Sequence, residues 1–257
     1  MRLRLLPSSF DDSGQMSDRQ HLPCFILNGK IAIDAGSLAF AVTAAERKAV
    51  RDIVLTHSHL DHIAGLPMFI DDQVSILERA VKVWASEQVI NAIESHIFNW
   101  VIYPKFSEIK NQYGFLMEYR EIKPEESFEI EEITFTPLKA NHSVDSFGFV
   151  ISDSKTSFAI TGDTATLDDS FWQKVNSLGA RNLLIECAFP NKLSKLAEDS
   201  YHLIPEILSG QIANFKGDGT VYIINTKPAF LDEVREEING LMDSRVKFFP
   251  VGDEIRI

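Results

Sequence analysis

An α/β fold with two sheets covered by outer helices is predicted by three features of the sequence. The chain is 257 residues long and 45% hydrophobic, enough to bury a sizeable core as one domain spanning 1–257. Short runs rich in β-branched residues, bounded by Gly, Asn and Asp, dominate up to about residue 161. Beyond them extended and helical patterns alternate, and strands followed by alternating units imply two sheets with helices outside.

Taken in order, Cys24 to Leu27 and Lys30 to Asp34 flank Asn28-Gly29, a dipeptide suited to a tight hairpin. Asp34-Ala35-Gly36-Ser37 closes the second strand. Ile53-Val54-Leu55 reads as a buried strand, and Val81 to Ala85 as another, with Ser86 capping a helix whose apolar positions are Val89, Ile90, Ile93 and Ile97. Residues 98 to 118 carry Phe98, Trp100, Tyr103, Phe106, Tyr113 and Phe115 around Pro104 and Gly114. Most such rings pack on a core, although one beside a pocket can stack on a planar ligand. Further strands are expected at Ile133 to Pro137, Ser146 to Ser152, Thr156 to Thr161, Asn182 to Glu186 and Val221 to Asn225. Helices are expected at Ser170 to Ser177, Ser200 to Phe215 and Ala229 to Leu241.

The densest chemistry lies in Thr56-His57-Ser58-His59-Leu60-Asp61-His62, directly after the run Ile53 to Leu55. The histidines therefore leave the C-terminal end of a strand, where open α/β sheets place their sites. His57 and His59 stand two apart, and on an extended backbone they point to one side, so that both can reach a single metal ion. Asp61 and His62 come next, on the turn. Imidazoles and a carboxylate without a nearby thiol suit a divalent ion with N and O ligands: zinc first, with manganese or iron open.

Two more donors come after strands: His142 after Lys139-Ala140-Asn141, and Asp163 in Thr161-Gly162-Asp163-Thr164. An imidazole binds one ion at a time, whereas a carboxylate can bridge two. His142 is thus the third imidazole for a first ion and Asp163 the bridge to a second. Glu186 ends the buried run Leu183-Leu184-Ile185. His202 falls in the first turn of the helix expected at Ser200 to Phe215, where the local potential disfavours a protonated ring unless a carboxylate offsets it. Glu186 is the candidate for that carboxylate, orienting His202 as a proton donor.

Together, His57-Ser58-His59-Leu60-Asp61-His62, His142 and Asp163 resemble the ligand set of the metallo-β-lactamase superfamily of αββα hydrolases. Within it, the run from His57 to Leu66, the block Glu186-Cys187-Ala188-Phe189-Pro190-Asn191 and His202-Leu203-Ile204-Pro205 are similar to the class II cyclic-nucleotide phosphodiesterases. The resemblance implies an αββα sandwich and one or two divalent ions on His57, His59, Asp61, His62, His142 and Asp163. It also implies hydrolysis of 3′,5′-cyclic nucleotides to 5′-monophosphates by a metal-activated hydroxide, with Asp61 orienting the water and His202 protonating the leaving oxygen. Asn225, in Ile224-Asn225-Thr226-Lys227-Pro228, stands where the family usually has a histidine ligand of the second ion. Its amide oxygen is a weaker, harder ligand, which suits a loosely held ion or Mn²⁺.

Composition narrows the partners. A formal net charge of −12 disfavours a long polyanion, which is gripped by clustered Lys and Arg, but admits a small anion such as a cyclic nucleotide. The segment Met1 to Leu6 is too short for a secretory apolar region, and no uninterrupted apolar stretch is long enough to span a membrane. Cys24 and Cys187 lack a second thiol at metal spacing, and a cytoplasmic protein with reduced thiols is expected. Apolar helix faces are compatible with a homodimer. The alternatives left by the residues are an RNA-processing phosphodiesterase, a lactone or thioester hydrolase of the same fold, and a non-catalytic nucleotide-binding sensor.

Overall fold

The computed structural model describes residues 1–241 and 243–257. The chain forms two compact units, the first comprising residues 1–17, 22–123 and 251–256, the second 18–21, 124–250 and 257.

Each unit is built on a seven-stranded mixed sheet. In the first the strands run in the order Glu254–Arg256, Arg2–Leu5, Phe25–Leu27, Ile31–Ile33, Asp52–Val54, Val81–Ala85 and Met117–Glu121. The first three pairings are antiparallel and the last three parallel. In the second sheet the order is Phe128–Ile130, Ile133–Lys139, Phe147–Ser152, Ser157–Ile160, Asn182–Glu186, Val221–Ile224 and Val246–Phe248. Again three antiparallel pairings precede three parallel ones. The sequence shows no repeat, yet the backbone repeats one pairing plan, because hydrogen-bond topology constrains only the apolar pattern of a strand and not its residues.

Local chemistry explains the element boundaries. Asn28 and Gly29 both adopt positive φ, as the tight connection between Phe25–Leu27 and Ile31–Ile33 requires. Ser86 caps helix Glu87–His96 by accepting the Val89 N–H, and Asp168 caps Asp169–Ser177 by accepting that of Phe171. In the first unit Ile26, Ala32, Ile53 and Val83 pack with Leu66, Phe69, Val89 and Ile93. In the second Val150, Leu183, Ile185 and Ile223 pack with Trp172, Leu208 and Val234. Cys24 and Cys187 are buried free thiols, and burial pushes both well above the usual thiol range.

The structure corrects two helix starts and adds detail at two other segments. Arg2–Leu5, given no element in the sequence analysis, is a strand in which buried Leu3 and Leu5 alternate with Arg2 and Arg4. The helix expected from Ser200 starts at Pro205, whose missing N–H costs nothing at a first helical position, so His202 lies in the connection before it. The helix expected from Ala229 begins as a 3₁₀ turn over Pro228–Phe230 and becomes α-helical at Leu231–Asn239. Between 98 and 118, Phe98 and Phe106 are core rings in edge contact at 5.6 Å. Trp100, Tyr113 and Phe115 are exposed, the last on a short hairpin of Lys110–Asn111 with Gly114–Phe115.

One ion pair ties the first strand to a helix. Glu46, in helix Ala44–Ala49, accepts from the N–H and hydroxyl of Thr43, both at 2.8 Å, and from Arg4 at 2.5 and 2.6 Å. Burial pushes the Glu46 carboxyl up, but the bonds from Thr43 and Arg4 outweigh it and hold it below the usual range. A depressed carboxylate contributes stability above its unfolded pKa and loses it as pH falls through the folded one. Glu46→Gln is therefore expected to cost about 1 kcal/mol at neutral pH. The deficit should shrink below about pH 4, as urea unfolding of both forms across pH would show.

Candidate functional site

In the first unit the parallel register sets Ile33 beside Val54 and Val54 beside Trp84, so the segments leaving these strands start side by side. Asp34 turns with φ 57°, and its buried carboxylate organises the histidine loop beside it. Oδ1 accepts the Thr56 N–H at 2.8 Å, and Oδ2 lies 2.9 Å from the Thr56 hydroxyl and 2.7 Å from Nδ1 of His62. A carboxylate is only an acceptor, so it takes the hydroxyl proton of Thr56 and an Nδ1–H of His62. Thr56 Oγ1 is then left to accept from Nδ1 of His57, 2.9 Å away. Both rings are thereby fixed in the tautomer whose lone pair is on Nε2, the arrangement a metal-ligating histidine needs. Nε2 of His57 and of His62 is buried.

The rest of the motif gathers round these rings. The His57 ring centroid is 4.1 Å from that of His62 and 4.7 Å from that of His59. Asp61 Oδ2 lies 4.0 Å from His62 Nε2, beyond hydrogen-bond reach. The segment is laced to the Asp34 turn: the Ala35 N–H donates to the His62 carbonyl at 2.7 Å and the Gly65 N–H to the Ala35 carbonyl at 2.9 Å. Gly36 makes this approach possible, since a Cβ there would sit 2.1 Å from the Asp61 carbonyl oxygen.

In the second unit the strand ends are equally productive. Asp163 comes after Ser157–Ile160, Glu186 ends Asn182–Glu186, and Asn225 comes after Val221–Ile224. His142 lies in the connection between Ile133–Lys139 and Phe147–Ser152. Its Nδ1 is 3.0 Å from the Tyr201 carbonyl, which can only accept, so Nδ1 carries the proton and Nε2 the lone pair. Donor atoms of His142, Asp163 and His202 all lie within 4.8 Å of one another. Asn225, at φ 55°, reaches this group through its amide nitrogen, which donates to Asp163 Oδ1 at 2.7 Å. The amide oxygen, the atom that the sequence assigns to a second ion, takes no part in that bond, and the nitrogen steadies Asp163.

Glu186 and His202 form a buried pair, with Oε1 2.8 Å from Nδ1. Oε1 also accepts the Thr164 N–H at 2.6 Å. Burial pushes the Glu186 carboxyl up to about 7, against the pull of His202. Burial works against the charged His202 ring, but the hydrogen bond and charge of Glu186, joined by Asp163, prevail and raise it. Because His202 precedes helix Pro205–Asn214, it is burial rather than the expected helix terminus that opposes its charge.

Each unit therefore offers carboxylate oxygens and imidazoles whose Nδ1 is held by a partner, His57 and His62 in the first and His142 and His202 in the second, a donor chemistry that fits a borderline-to-hard divalent ion. Sequence reasoning missed Asp34 and the role of Thr56. The signal was there in outline, because Asp34 with Gly36 succeeds an apolar strand much as Gly162-Asp163 does.

The chain belongs to the β-lactamase superfamily, whose domain model matches residues 31–215. That span holds Asp34, the His57–His62 motif, His142, Asp163, Glu186 and His202. Among curated proteins the chain is 26% identical over 212 residues to the "Probable 3′,5′-cyclic-nucleotide phosphodiesterase" of Yersinia pestis, covering 72% of this chain and 59% of that one. It is 24% identical over 199 residues to "3′,5′-cyclic-nucleotide phosphodiesterase 1" of Saccharomyces cerevisiae, covering 65% and 51%. The chain thus spans little more than half the length of these relatives. Among solved structures, unliganded yeast PDE1 superposes with a TM-score of 0.75 at 16% identity, covering 98% of both chains, and so shares the αββα fold. Among the described residues no helix is long and apolar enough to cross a membrane.

If Asp34 sets the His62 tautomer, Asp34→Asn should weaken zinc binding about 10- to 100-fold while the fold persists. Competition titration against a chromophoric chelator, with circular dichroism alongside, checks this outcome.

Proposed function

We propose that the protein is a metal-dependent phosphodiesterase that opens 3′,5′-cyclic nucleotides to 5′-monophosphates. The supporting observation is the pair of imidazole–carboxylate sets at C-terminal strand ends, each oriented by a buried partner, in a superfamily member whose curated relatives bear cyclic-nucleotide phosphodiesterase names. On this reading residues 1–257 act as one hydrolase domain, with His57, His59, Asp61, His62, His142 and Asp163 as the candidate ligands. Bound divalent ions, zinc in the first instance, would supply Lewis acidity toward the phosphate and lower the pKa of a water between them.

The chain's own groups divide the remaining work. Asp61, one-third exposed at its side chain, accepts the proton of the attacking water and aims its lone pair at phosphorus. His202, its Nδ1 fixed by Glu186, gives a proton from Nε2 to the departing 3′ oxygen as charge develops there. Glu186 positions His202 and Asn225 positions Asp163. The acidic chain favours a small anion over a long nucleic acid, and its two free buried thiols accord with the reducing cytoplasm.

A second reading has an observation of its own: the closeness of His202 to His142 and Asp163 would suit a ligand as well as an acid. The two roles separate experimentally. As a proton donor, His202→Ala should slow cyclic AMP hydrolysis by roughly 10²- to 10⁴-fold yet spare an activated p-nitrophenyl phosphodiester, with metal content unchanged. Equal losses on both substrates with metal released would assign it to the ions.

The proposal as a whole is tested by metal analysis with an activity screen of cyclic nucleotides, transfer RNA precursor and lactones. Cyclic-nucleotide turnover that disappears together with bound metal in His59→Ala is the expected result. Tight nucleotide binding without turnover in the presence of Zn²⁺ and Mn²⁺, or full activity of His59→Ala, would overturn it.

A further inference from the structure

At the far end of the first unit's parallel strands lies a cavity of about 570 Å³ lined by Lys48, Arg51, Ile76, Glu78 and Arg79. Arg51 immediately precedes strand Asp52–Val54 and Arg79 shortly precedes Val81–Ala85. The cavity thus sits at the N-terminal ends of strands whose opposite ends lead to His57 and Ser86, and it shares no residue with the candidate metal ligands.

Its charge is anomalous for this chain. Acidic residues outnumber Lys and Arg by 37 to 25, and most cations elsewhere on the surface pair with a carboxylate, as Arg4, Arg47, Lys105, Lys174 and Arg245 do. Lys48, Arg51 and Arg79 form no ion pair among the described residues. The cavity lining thus carries three cations and a single carboxylate, Glu78, a net excess of two positive charges.

Arg51 is the centre of the arrangement. As a residue it is only 7% exposed, unusual for an arginine without an ion-pair partner. Only Nη1 bonds to the protein, donating to the carbonyls of Arg47 at 2.9 Å and Val50 at 2.6 Å. Those bonds close the end of helix Ala44–Ala49 and hold Arg51 in place at the cavity wall. Burial, then the neighbouring Arg79, lowers its affinity for its proton, with Glu78 opposing; a bound anion would relieve both strains.

We propose that this cavity is a binding site for a phosphate group, remote from the candidate active site. A phosphate monoester carries close to two negative charges at neutral pH, matching the excess, and the two guanidinium forks suit its oxygens better than a single carboxylate would. Ile76, 58% exposed at the rim, offers an apolar surface to an organic body attached to the phosphate.

The test is titration of the ¹⁵N-labelled full-length chain with inorganic phosphate and, separately, with glycerol 3-phosphate. Saturable amide shifts are expected in both 48–51 and 76–79, with affinity falling at least about tenfold in Arg79→Glu and in Lys48→Glu. Both positions are exposed, so these variants leave the buried Arg51 and the fold in place. Tighter binding of glycerol 3-phosphate identifies an organic phosphate as the ligand; equal affinity identifies the free anion. Absence of saturable shifts in the two segments, or shifts that survive both substitutions undiminished, overturns the proposal.

Discussion

The buried carboxylate of Asp34 is the constraint on which the first unit's chemistry depends. Four donors converge on it or on its partner Thr56: a backbone amide, a hydroxyl and, directly or through the hydroxyl, two imidazoles. An acceptor buried to this degree is tolerated only when its lone pairs are filled, so the histidine loop is held by the same bonds that keep Asp34 stable inside the protein. Orientation of the rings is therefore not a property of the loop. It is imposed by the neighbouring strand, across a contact that Gly36 alone permits at its position.

The same logic operates in the second unit with other residues. Glu186 is filled by Thr164 and His202, and Asp163 by Asn225. In both units the polar groups sit where parallel strands end, because there the backbone leaves the sheet with N–H and C=O groups to satisfy and the side chains of adjacent strands emerge together. The repeated pairing plan explains how two unlike sets of residues come to be arranged on equivalent scaffolds.

Much of this was legible in the sequence where a residue's neighbours along the chain decide its fate. The strands at Ile53, Val81, Asn182 and Val221, the Ser86 cap and the His57–His62 motif all declare themselves within a few residues. The features that escaped depend on contacts distant in sequence. Asp34 looks like a turn aspartate until it is seen 28 residues away from His62 yet bonded to it. Arg2–Leu5 becomes a strand by pairing with Phe25–Leu27 and with Glu254–Arg256 at the opposite end of the chain. Asn225 is recognisable as a departure from the family pattern, but its bond to Asp163 spans 62 residues. The helix expected over Ser200 to Phe215 takes in His202, whereas Pro205 determines where the helix begins.

Each compact unit encloses one cysteine, Cys24 in the first and Cys187 in the second, both fully shielded and poorly ionised. A thiol in that state reacts with an alkylating reagent only when its surroundings open. The protein thus contains two internal clocks, one per unit, and the labelling rates of the two sulfurs would show whether the halves breathe together or independently.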